Sequence, residues 1–200
     1  MAHTLLLIRH GQIRANQTGR WHGAIDSPLT PSGRRQVARL ARHLKHTFPE
    51  LEAVYSSPLR RCRDTAIEVA QLFQRTVITD DDLREYAIGE LEGTPFRTLH
   101  TEHRFFERIH DAEFRPPGGE SVRAVAERVV QALRRIHDAH RDARHTAIVG
   151  HGAAFAIALA HLLDADPTRW TNYSISNASI TELTLDPEPL IPSFNRIEHL

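Results

Sequence analysis

Two histidines in this chain stand at matching places. "LLLIRHG" carries an apolar run into Arg9, His10 and Gly11, and "TAIVGHG" carries another into His151 and Gly152. An imidazole at the end of a buried strand can serve as a nucleophile, a base or a metal ligand. Arg9 argues against the metal, because a guanidinium beside the imidazole repels a cation. No cysteine or carboxylate cluster supplies further ligands at suitable spacing. Arginine suits phosphate, which it grips with two parallel hydrogen bonds. A third segment, "SSPLRRCRDTA", places Arg60, Arg61 and Arg63 at the start of a predicted helix. Basic side chains there oppose the helix dipole unless an anion binds nearby. Arg63 is assigned to a solvated basic face. The chemistry indicated is phosphoryl binding or transfer.

Such side chains need rigid posts. Thr4 to Ile8 reads as a short buried strand of the kind found in parallel sheets covered on both faces. Ala53 to Ser57, Thr76 to Thr79 and Thr146 to Gly150 read as further strands, and the alternating Ser179 to Leu185 as the last. Helices are predicted from Thr30, a capping residue followed by Pro31, and from Pro58 through Phe73. Val122, Val125, Ala126, Val129, Val130, Leu133 and Ile136 form one helical stripe, and Ala153 to Leu163 a last helix. Residues 83–120 are less regular, with a moderately helical stretch around Phe96 to Ile109. The tail from Pro187 is expected to be irregular. Strands alternating with helices imply an α/β fold with a mostly parallel sheet. Ligands bind such sheets beyond the carboxyl ends of the strands. If the first and fourth strands are neighbours, His10 and His151 face one site, and Gly11 lets the backbone turn there without a Cβ clash.

The composition narrows the function. At 200 residues and 40% apolar content, one domain over residues 1–200 is expected. With 25 acidic and 25 basic residues, bulk charge predicts neither a nucleic acid nor a membrane partner. The single cysteine, Cys62, excludes an internal disulfide framework and fits a reducing compartment. Met1 to Ile8 lacks the pattern of a signal peptide, and no apolar run approaches the roughly 20 residues that span a bilayer. A cytoplasmic protein is expected, and a homodimer is compatible with the sequence. Fourteen histidines include the pairs His43/His46, His100/His103 and His137/His140, one helical turn apart. They are placed on polar helical faces without a third ligand.

"LLLIRHG", "SSPLRRCRDTA", "LREYAIGELEG", "GGES" and "AIVGHG", in this order and spacing, resemble the histidine phosphatase superfamily, the phosphoglycerate mutase-like group. The resemblance runs from Leu5 to about Leu185. It implies a three-layer sandwich, a mostly parallel central sheet flanked by helices. It also implies that His10 accepts the phosphoryl group as a phosphohistidine. Arg9, Arg61, His151 and Asn16 would surround the phosphate oxygens, and Glu85 would protonate the leaving oxygen. Trp21 and His22 would line the substrate mouth. No metal and no cofactor are implied. Histidine attacks only when neutral, and neighbouring cations favour that form. Ile13, Cys62 and the "GHGAAFAIAL" segment with Ala156 depart from the common pattern, which bears on substrate contacts. The short span from Glu85 to Gly118 favours a phosphatase for a small phosphate ester, a sugar phosphate or similar. A cofactor-dependent phosphoglycerate mutase and a non-catalytic phospholigand-binding protein on the same fold are the alternatives.

Overall fold

Apolar runs bounded by polar punctuation pair into a sheet, and the runs with helical spacing cover it. The computed structural model describes residues 3–200, so Met1 and Ala2, where the reading of the N-terminal segment begins, lie outside the described residues. The elements are β1 (Thr4–Arg9), α1 (Arg14–Thr18), α2 (Pro31–Thr47), β2 (Leu51–Ser56), α3 (Arg60–Phe73), β3 (Val77–Thr79) and α4 (Phe96–Thr101). They continue with α5 (Phe105–Arg108), α6 (Val122–Ala139), β4 (His145–Gly150), α7 (Gly152–Asp164), β5 (Ile180–Thr184) and β6 (Leu190–Arg196).

The six strands lie in the order β3-β2-β4-β1-β5-β6. β1, β2, β3 and β4 run parallel, while β5 and β6 are antiparallel additions. Alternate side chains point to opposite faces. Leu5, Leu7 and Ile148 therefore pack under α6 and α7, through Val125, Val129, Leu133, Phe155 and Leu159. Leu6, Ile8, Val54 and Val149 pack under α2 and α3, through Leu40, Leu44, Val69 and Phe73. This is the three-layer α/β architecture. Among the described residues no helix is long and apolar enough to cross a membrane.

Caps sit where the side chains predict them. Thr30 Oγ1 accepts from Gly33 N at 2.9 Å, and Ser121 Oγ accepts from Ala124 N at 3.2 Å. Three expectations need correction. The tail is not irregular, for Leu190–Arg196 forms β6 against β5. It is an edge strand, where Pro192, which has no N–H to donate, is tolerated. The helical stretch around Phe96 to Ile109 is two short helices, α4 and α5, with Arg104 between them at a φ of 48°. His137 is not on a polar face but buried, stacked on His3 with ring centroids 5.0 Å apart and hydrogen-bonded to Asp186 at 2.9 Å.

Candidate active site

β1 pairs with β4 so that Arg9 stands opposite Gly150, and His10 N donates to Gly150 O at 3.0 Å. The two His-Gly pairs thus leave the sheet side by side, with the rings of His10 and His151 edge-to-face at 5.4 Å. Gly11 is required here by close packing. A Cβ on it would lie 2.6 Å from Val37 Cγ2 and 2.8 Å from the Gly33 carbonyl oxygen.

His10 is 3% exposed, and its Nδ1 is 2.8 Å from the Gly11 carbonyl oxygen. A carbonyl only accepts, so Nδ1 carries the proton and Nε2 keeps its lone pair. Burial, and then the cations of Arg61 and Arg9, hold its pKa well below the ordinary histidine value. His10 is a neutral imidazole with one nitrogen engaged and the other available.

A cavity of about 340 Å³ opens at this end of the sheet. Its lining brings together Arg9, His10, Asn16, Trp21, His22 and Glu85 from the residues singled out in the sequence. Arg9 is anchored by Nη1 on the Ile175 carbonyl oxygen at 2.6 Å, and its Nε has no protein partner. Its guanidinium lies over Gly152, where a Cβ would come within 3.1 Å of Cζ. Asn16 Oδ1 accepts from Ile13 N at 3.0 Å and from Asn177 Nδ2 at 3.1 Å, which leaves its amide hydrogens for the cavity. Asn177 also donates to the His10 carbonyl oxygen at 3.0 Å.

Glu85 reaches the first turn of α7. Its Oε1 accepts from Ala154 N at 2.8 Å and from Tyr86 N at 2.9 Å, and its Oε2 from Ala153 N at 3.3 Å. Trp21 lines the cavity and also packs under the loop, 6% exposed with Nε1 donating to the Tyr86 carbonyl oxygen. His22 pairs with Ser27 Oγ at 2.9 Å.

Arg61 and His151 do not line the cavity. Both are fully buried, one residue removed from it. Arg61 Nε donates to His151 Nδ1 at 3.3 Å, so the His151 proton sits on Nε2, which donates to Ser57 Oγ at 2.8 Å. Burial, then Arg61, keep the His151 pKa well below its ordinary value. Cys62 lies against the same ring, and burial pushes its thiol pKa up, so the thiol stays neutral. Of the departures from the common pattern, Ile13 is buried with Ala15, Leu29 and Val37 and also lines the cavity, as does Ala156. Gly119 packs against the Ala87 carbonyl oxygen, away from the cavity, so the "GGES" glycines serve loop packing. Of the histidine pairs, His43 stacks on His199 and His140 bonds to Tyr55.

Sequence reasoning missed Ser57, Glu120 and Arg128. Ser57 follows the second strand as His10 follows the first, and that position is the one signal that could have found it. The others act on backbone atoms.

A neutral imidazole beside fixed guanidinium groups, in a concave site at the carboxyl ends of parallel strands, suits an anionic phosphoryl group and nucleophilic attack on it. Fold and site together define an α/β protein built for phosphate esters. The chain belongs to the histidine phosphatase superfamily (branch 1), whose family model matches residues 5–192. It is 32% identical over 204 residues to the metal-independent phosphoserine phosphatase of Arabidopsis thaliana, covering 98% of this chain and 82% of that one. Its structure matches the phosphoserine phosphatase of Entamoeba histolytica, solved with 3-phosphoglyceric acid, with a TM-score of 0.88 and 28% identity over 98% of each chain. A mycobacterial glucosyl-3-phosphoglycerate phosphatase matches with a TM-score of 0.87 and 26% identity, over 98% of this chain and 99% of that one.

Proposed function

We propose that the chain is a metal-independent phosphatase that hydrolyses a small phosphorylated metabolite through a phosphohistidine at His10. The observation that carries this reading is the state of His10, with Nδ1 tied to Gly11 and the ring kept neutral by burial and two arginines. In the first step Nε2 attacks phosphorus, the N–P bond forms, and the ester P–O bond breaks. Glu85, which lines the cavity, delivers a proton to the leaving oxygen. In the second step water attacks the phosphohistidine and gives up its proton to Glu85. Inorganic phosphate leaves and the imidazole is restored. Arg9 and the Asn16 amide hold the phosphoryl oxygens directly. Arg61, further in, keeps that end of the cavity electropositive, and the neutral His151 ring packs edge-to-face against His10. These groups stabilise charge on the equatorial oxygens in place of a metal.

The named relatives act on phosphoserine and on a glucosyl phosphoglycerate, which supports small, acidic phosphate esters as the first substrates to try. Sugar phosphates come next. A mutase and a non-catalytic binder are less favoured, since the relatives named here are phosphatases. Its one cysteine, free and buried, suits a cytoplasmic setting.

The test is hydrolysis of phosphoserine and para-nitrophenyl phosphate in EDTA, followed by acid quenching and base quenching. Turnover without added metal, with an acid-labile phosphate on the protein that His10→Ala lacks, is expected. Substantial turnover by His10→Ala would overturn the mechanism.

A further inference from the structure

We propose that Glu92 is a positioning residue that fixes Arg61 behind the histidine pair, acting through the peptide units of His22 to Ile25 that lie between them. The inference rests on the phosphatase reading above. Glu92 does not line the cavity. Its carboxylate accepts from four backbone amides: Ala24 N at 2.8 Å, Gly23 N at 2.9 Å, Ile25 N at 3.1 Å and Ile88 N at 3.3 Å. In a trans peptide the C=O points opposite to the N–H. The unit joining His22 to Gly23 gives its N–H to Glu92 and its C=O to Arg61 Nη2, at 3.2 Å. The unit joining Gly23 to Ala24 gives its N–H to Glu92 and its C=O to the same Nη2, at 2.8 Å. Arg61 Nη1 adds the Ile25 carbonyl oxygen at 2.8 Å.

Two peptide planes are therefore clamped between a carboxylate and a guanidinium, with every dipole aligned. Such chains of hydrogen bonds polarise one another. The arrangement answers a problem that Arg61 poses. Its side chain is fully buried, and its four partners are neutral: three carbonyls and His151 Nδ1. A buried charge without compensation is costly. Glu92 supplies the compensating charge one peptide unit away. It also orients the carbonyls that aim Nε at His151. The close approach depends on Gly23, where a Cβ would lie 2.3 Å from the Tyr86 carbonyl oxygen and 2.4 Å from Glu92 Oε1.

A double-mutant cycle tests this. Glu92→Gln and Arg61→Ala are made singly and together. Each protein is measured for inorganic phosphate binding by calorimetry and for kcat/KM on phosphoserine and para-nitrophenyl phosphate. Loss of the outer partners that orient metal-binding side chains typically costs about 10- to 100-fold, and the same scale is taken for Glu92 behind Arg61. Glu92→Gln should weaken phosphate binding and both kcat/KM values on that scale, equally for the two substrates. In the Arg61→Ala background the same change should cost less than about 2-fold, because Glu92 has nothing left to position. Equal losses in both backgrounds, or unchanged phosphate affinity in Glu92→Gln, would overturn the proposal. Should Glu92→Gln not fold, Glu92→Asp carries the same cycle, since its shorter reach loosens the segment while keeping the charge. A wild type without turnover would defeat the phosphatase reading, while the phosphate-binding cycle still reads the coupling of Glu92 to Arg61. A wild type that binds no phosphate would defeat both.

Discussion

At the residue scale, the division of labour between Glu85 and its neighbours sets the first expectation. Glu85 is held by three backbone amides on the cavity wall, whereas Arg9 and Arg61 bear on His10 through charge. A proton donor matters most for a poor leaving group such as the serine alkoxide, and little for para-nitrophenolate. General acid catalysis typically contributes about 10²- to 10⁴-fold. Glu85→Gln should therefore cost phosphoserine kcat/KM about 100-fold or more and para-nitrophenyl phosphate less than about 10-fold. Arg9→Ala should damage both substrates alike. Equal losses for Glu85→Gln on both would remove it as the proton donor. These residues stand out in the sequence because the proposed chemistry fixes their types at strand ends and in short motifs. The partners of Glu92 do not, because it binds backbone N–H groups, which every residue but proline carries. For the same reason the buried setting of Arg61 is invisible from "PLRRC": its partners are carbonyl oxygens of His22, Gly23 and Ile25, far away in the chain.

At the element scale, α6 does more than cover the sheet. Arg128, on its middle turns, makes a bidentate pair with Glu120 at 2.7 and 2.8 Å. The same guanidinium donates to the carbonyl oxygens of Asp82, Arg84 and Glu85, and Glu120 in turn accepts from Ala87 N at 3.1 Å. The loop that carries Glu85 is thus pinned to a helix on one side and to the first turn of α7 on the other. Arg128→Met keeps the length and apolar stem of the side chain and removes the pins. It should lower phosphoserine kcat about 10-fold while leaving para-nitrophenyl phosphate kcat within about 2-fold, a weaker copy of the Glu85→Gln pattern. A loss equal on both substrates would show that the pair only stabilises the fold. The elements themselves were legible where one pattern governs them. The stripe of α6 and the buried runs of β1 and β4 fall where periodicity puts them, because a face buried along its whole length forces the spacing. β6 was not legible. An edge strand has one pairing partner and one wet side, so its mixture of Leu190, Pro192 and Asn195 imitates a loop.

At the scale of the whole molecule, the phosphate site and a second group of histidines occupy opposite ends of the same strands. His10 and His151 follow the carboxyl ends of β1 and β4, while His3 and His145 stand at their amino ends, beside His137 and His140. His3 and His145 at one end, and His10 and His151 at the other, resist protonation. Burial, then the neighbouring His137 and His140, lowers the His3 pKa to about 4, and burial likewise leads the downward shifts of His10, His151 and His145. The sign follows from linkage. Below about 6.5 the unfolded chain binds protons at these sites and the folded protein does not, so stability present at neutral pH is lost as the pH falls toward 4. The loss is shared between the two ends of the sheet, and the far end can be tested without touching the proposed catalytic residues. For a chain of this size 1 kcal/mol moves Tm by about 2–4 °C. Tm at pH 5 should lie about 5 °C or more below Tm at pH 7.5. His3→Gln, which can keep the hydrogen bond to Thr146 but cannot titrate, should flatten that slope while leaving kcat/KM at pH 7.5 within about 2-fold of wild type. A Tm that stays level from pH 7.5 to 5 in the wild type would show that these histidines do not resist protonation in the folded state. A slope unchanged in His3→Gln would assign the acid loss to His145 and the pair at the phosphate site.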